Sequence, residues 1–83
     1  MKKGERKILL MGIGCSLYRN SRGKWVVVAS LSVREQFNKF LYQLLEDDLV
    51  NCSQTADRVH VETRFTNIND LMKKLRQPKT IES

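Results

Sequence analysis

The sequence predicts an α+β domain: a four-stranded antiparallel sheet with two helices packed on one face, in the order ββαββα. Three observations predict it. Trp25, Val27, Ala29 and Leu31 alternate with Lys24, Val26, Val28 and Ser30, the period of a strand. Val33, Phe37, Phe40, Leu41, Leu44 and Leu45 recur at helical spacing and form one apolar stripe. Val59, Val61, Thr63 and Phe65 alternate with Arg58, His60, Glu62 and Arg64, a second strand with one polar face.

Residues 1–6 are polar and read as a disordered basic arm, residues 7–78 as a single domain, and residues 79–83 as a frayed tail. Residues 8–17 are apolar with Gly12 and Gly14 inside, which suggests a strand with a bulge or a close backbone approach. Gly12-Ile13-Gly14 lacks the further glycine and the strand-to-helix setting of a dinucleotide fingerprint. Arg19-Asn20-Ser21-Arg22-Gly23 supplies turn chemistry for a hairpin into the valine-rich strand. Valines on both faces of that strand imply that its second face is at least partly covered.

Ser32, followed three residues later by Glu35, is the signature of a capping box that opens the first helix. Glu46, Asp47 and Asp48 close that helix with charges its dipole disfavours, which marks a contact or charge-repulsion feature, or else a solvated end. Residues 49–53 read as a short strand and residues 54–57 as a turn. Asn67 caps the last helix with Asp70 in its first turn; Ile68, Leu71, Met72 and Leu75 form its stripe, and Pro78 stops it.

At 83 residues, the chain is one domain below the size at which a single core gives comfortable stability, so a partner subunit is a natural addition. Fifteen Lys and Arg against nine Asp and Glu give a formal charge of +6, which favours polyanionic partners. Cys15, Cys52 and the single His60 are too few and too scattered for a zinc site or a disulfide framework, and read as two buried thiols beside a surface histidine. No apolar run is long enough to span a bilayer, and Gly4-Glu5-Arg6-Lys7 stands where a signal peptide would turn apolar, so a cytoplasmic location is expected.

Converging catalytic groups are missing from the pattern. His60 and Glu62 share a strand face without a nucleophile, and consecutive acids at 46–48 point in different directions. No enzyme, cofactor or metal is expected. The better constellation is basic: Arg19, Arg22 and Lys24 at one hairpin tip, with Arg58, His60 and Arg64 on the exposed face of the other hairpin. Tyr18 and Trp25 flank the first turn, where Trp25 fits the core better than a stacking role. The expected function is therefore a non-enzymatic nucleic-acid-binding module, DNA before RNA. The alternative is a homodimeric interaction or regulatory module acting through the outer valines or the acidic helix end.

Gly14-Cys15-Ser16-Leu17-Tyr18 opening a hairpin, and Arg64-Phe65-Thr66-Asn67-Ile68-Asn69-Asp70-Leu71 leading into a helix, resemble the sheet-and-helix part of a LAGLIDADG homing-endonuclease domain. The resemblance implies an antiparallel sheet that saddles the DNA major groove with helices on its back. Ile8-Leu9-Leu10-Met11-Gly12-Ile13, before the first hairpin, has no Asp or Glu, so the family's metal-binding helix has no counterpart and cleavage chemistry is not implied.

Overall fold

A computed structural model describes residues 5–76 and the short strand Lys79–Thr80. One antiparallel sheet carries two helices against one face. The strands are β1 (Arg6–Leu10), β2 (Ile13–Arg19), β3 (Trp25–Ser30), β4 (Leu49–Gln54), β5 (Arg58–Thr63) and the two-residue β6 (Lys79–Thr80). Their order across the sheet is β4-β5-β3-β2-β1-β6. The helices are α1 (Arg34–Leu45) and α2 (Ile68–Lys74). Among the described residues no helix is long and apolar enough to cross a membrane.

The expected four strands become five and a short sixth because residues 8–17 are not one bulged strand. Met11 and Gly12 both have positive φ, 53° and 85°, and turn the chain sharply so that Leu10 faces Ile13. Two consecutive left-handed residues are the geometry of a tight hairpin turn whose twist matches the flanking strands. Glycine adopts it freely; for Met11 the left-handed region costs about 1 kcal/mol. Arg6, expected in the arm, begins β1, while residues 1–4 lie outside the described set. Lys79 and Thr80, expected to fray, pair with Leu9 and Ile8.

β3 lies centrally between β2 and β5, which explains its near-continuous apolar composition. On the helix side, Leu17, Val27 and Val61 stand in one cross-strand row and Cys15, Ala29 and Val59 in the next. Phe37, Leu41 and Leu45 of α1 and Leu71 of α2, with Leu75 just beyond it, close this core, with Val33, Phe40, Leu44, Ile68 and Met72 half-buried at its margin. Trp25 is in the core as expected. The buried Thr63 hydroxyl donates to the Trp25 carbonyl at 2.8 Å and accepts from the Phe65 amide at 3.2 Å, tying the end of β5 to the start of β3.

The capping box does not form. A 3₁₀ turn over Leu31–Val33 precedes α1, and the Ser30 hydroxyl caps that turn by accepting from the Ser32 amide at 3.3 Å. Ser32 is thereby inside the turn, and Val33 precedes α1 with no side-chain cap. The second cap is as expected: Asn67 Oδ1 accepts from the Asn69 amide at 2.8 Å. α2 stops at Lys74, and Arg76, two residues on, has a φ of 63° that carries the chain off the helical path; Pro78 lies outside the described residues.

Replacing Met11 with Asn, which tolerates the left-handed region and with Gly12 forms the favoured two-residue turn, is expected to raise stability by about 0.5–1 kcal/mol. A chemical-denaturation midpoint reads this directly, and an unchanged or lower midpoint would contradict the turn geometry.

Candidate nucleic-acid interface

The face of the sheet away from the helices follows from strand parity. Lys7, Ser16, Val28, His60 and Ser53 form one transverse row; Tyr18, Val26, Glu62 and Asn51 form a second; Gly14 and Ser30–Arg58 continue a third. Yet Val26 and Val28 are only 3% and 4% exposed. The two valines are covered from within the chain, so the second face of β3 needs no second copy to shelter it. Tyr18, Asn20, Arg22, His60 and Glu62 line a shallow groove of about 210 Å³ with Val26 at its floor.

Glu62 organises that groove. Alternation places it on the correct face, but it is buried, 5% exposed, rather than outward in water. Its carboxylate accepts from Arg22 Nε at 3.1 Å and Arg22 Nη2 at 2.6 Å, and from Asn20 Nδ2 at 3.0 Å. Asn20 Oδ1 in turn accepts from the Arg22 and Lys24 amides at 3.0 and 2.9 Å, so the β2–β3 turn is folded inward and pinned to β5. The Arg22 hydrogen bonds, then Asn20, hold the Glu62 carboxyl below the usual carboxylate range, with the charges of Arg22 and Lys24 adding to the effect. Reciprocally, Glu62 raises the Arg22 pKa above its ordinary value. His60 meets Tyr18 edge-to-face, ring centroids 6.3 Å apart at 78°, rather than pairing with Glu62.

The six basic residues expected on one surface divide. Arg22, Lys24, Arg58 and His60 belong to the uncovered side, although Arg22 is ion-paired. Arg19 pairs with Trp25 in register and shares the parity of Leu17, so it belongs to the helix side. Arg64 lies one residue beyond β5 and turns to the helix end, where its Nε hydrogen-bonds Asp48 and its guanidinium sits 5.0 Å from the Phe65 ring centroid. Lys74 Nζ is 3.6 Å from the other Asp48 oxygen. Asp48 is therefore neither a solvated end nor repulsive: it is buried, joins α1, α2 and β5, and is held below the usual carboxylate range chiefly by the Arg64 hydrogen bond.

Sequence reasoning missed Lys7, which parity puts on the uncovered side once β1 is recognised as a separate strand. It also misjudged the cysteines. Cys15 is buried, its thiol pushed up to about 12 by desolvation, but Cys52 is exposed on β4. The exposed apolar side chains Tyr42 and Val50 flank a different groove, between α1 and β4, with Leu41, Leu49 and Val61 along it.

A carboxylate with a lowered folded-state pKa contributes stability that is complete above its unfolded value and is lost as pH falls through the folded value. Glu62→Gln is expected to lower the urea midpoint near neutrality, and the gap from the parent protein should narrow on acidification to about pH 3, where an unfolded glutamate is already protonated. A gap that persists unchanged at that pH would show that the ion pair is not its source. Comparison with known proteins adds no relative: no family model, no curated protein and no solved structure matches the chain.

Proposed function

We propose that the chain is a small, non-enzymatic nucleic-acid-binding module whose contact surface is the uncovered face of the sheet. The carrying observation is the charge on that face: it carries Lys7, Arg22, Lys24 and Arg58 against Glu62, the one carboxylate that the five longer strands contribute to it. Glu62 is shielded beneath Arg22, whose side chain remains 66% exposed, so an approaching phosphate meets the cations first. Phosphate neutralisation needs several flexible cations on one surface, and Lys7 and Arg58 bracket this one from β1 and β5. Tyr18 and His60 between them supply rings of the kind that stack on bases.

Fluorescence anisotropy with labelled oligonucleotides over a range of salt concentrations tests the reading. Each cation that neutralises a phosphate contributes about 0.7–0.9 to the slope of log affinity against log salt. The double substitution Lys7→Ala with Arg58→Ala is expected to weaken binding and flatten the slope by between about one and two. Arg19→Ala and Lys39→Ala, away from that face, should leave the slope almost unchanged. Absence of binding at low salt, or an equal loss from the two control substitutions, would sink the proposal.

A further inference from the structure

Resting on that reading, we infer that the ligand is an unpaired strand: single-stranded nucleic acid laid across the sheet, with a base against the Tyr18 ring beside the Arg22 guanidinium. The first argument is width. From β4 to β1 the sheet has five strands and four intervals. At about 4.8 Å each these span about 19 Å. The B-DNA major groove is about 12 Å wide, enough for a two-stranded ribbon, and the minor groove is about 6 Å, so neither admits this sheet lying flat. A duplex laid on the sheet offers only its phosphate ridges, whereas an unpaired strand can turn its bases onto it.

The second argument is the relief of the face. Gly14, Ser16, Ser30 and Ser53 are small, so little side chain stands between an arriving base and the backbone. Tyr18 and His60 are half-buried, which anchors each ring while part of it stays accessible.

Arg22 supplies the third. Glu62 holds it through Nε and Nη2, and Nη1 takes no part in the pair. A planar guanidinium fixed by its own protein and still largely exposed can stack on a base or meet a phosphate without first losing its side-chain freedom.

The same hydrogen bonds limit how much sequence the site reads. Asn20 gives its amide to Glu62 and its oxygen to two backbone N–H groups, and Asn51 Oδ1 accepts from the Cys52 amide at 2.9 Å. Stacking and charge, both tolerant of base identity, therefore dominate recognition.

The test is anisotropy of the full chain with a mixed-sequence DNA strand, its RNA counterpart and the DNA duplex of equal length, all at one salt concentration. At least one single strand is expected to bind about tenfold or more tightly than the duplex, and the tighter arm identifies the sugar. Tyr18→Ala should weaken single-strand binding roughly 5- to 100-fold, the range for loss of one stacked base, and leave duplex binding unchanged. Tyr18→Leu keeps apolar cover over Val26 while removing the ring, and is expected to show the same selective loss if the alanine variant unfolds; Tyr18→Phe should retain binding. Duplex binding as tight as that of both single strands, or single-strand binding untouched by Tyr18→Leu, overturns this inference but leaves the basic-face proposal standing. No binding of any of the three probes at low salt removes both.

Discussion

The carboxylate of Glu62 is the constraint on which the uncovered side of the molecule depends. A buried charge is costly unless it is fully hydrogen-bonded, and this one receives three donors from residues at positions 20 and 22. Those donors lie at the tip of a different hairpin, so satisfying Glu62 requires the β2–β3 turn to fold over β3 and reach β5. Asn20 makes the same requirement from the other side, since its oxygen organises the turn that carries Arg22. The consequence is packing: Val26, at the turn end of β3, gains a roof on the face that the helices do not cover. A second ionic tie, Asp48 with Arg64 and Lys74, serves the opposite side by joining the ends of both helices to β5.

Much of this was legible in the sequence where one period dominated. The alternation in β3 and β5, the apolar stripes of both helices and the Asn67 cap depend on neighbours within a few residues, and they appear where the pattern puts them. What escaped depended on contacts that no local pattern encodes. Gly12 advertises a break, but a methionine in the left-handed region gives no signal, so the local pattern suggests a bulge where the chain makes a tight turn. Ser30 and Ser32 compete for one role, and the short 3₁₀ turn decides for Ser30. Glu62 lies on the face its period assigns, yet its burial comes from partners about forty residues earlier in the chain. Arg64 followed the alternation of β5 on paper, but the strand ends at Thr63, and beyond that point parity no longer fixes direction.

These outcomes change the functional picture from one of charge alone to one of placement. A formal charge of +6 is spread over both sides of the molecule, with Arg19 and Arg64 among the cations on the helix side or at the helix ends. The proposed interface keeps fewer cations than the sequence suggested, but they surround two rings and a guanidinium whose plane is set by Glu62. The sequence features that favour a homodimer are taken up within the chain: the outer valines are already sheltered, and the most buried of the three helix-end acids is already paired. Exposed apolar side chains lie instead at Tyr42 and Val50, along the groove between α1 and β4, which gives any rival surface a definite address.

Amide chemical-shift mapping during titration with a short single-stranded oligonucleotide is the decisive measurement for the uncovered face, because it reports where contact occurs rather than how tightly. Perturbations are expected to concentrate on Lys7, Ser16, Tyr18, Arg22, Val28 and His60, crossing four adjacent strands on one face, with α1 and α2 unmoved. Shifts gathered instead around Tyr42 and Val50, or scattered over the exposed cations of both sides, would contradict it.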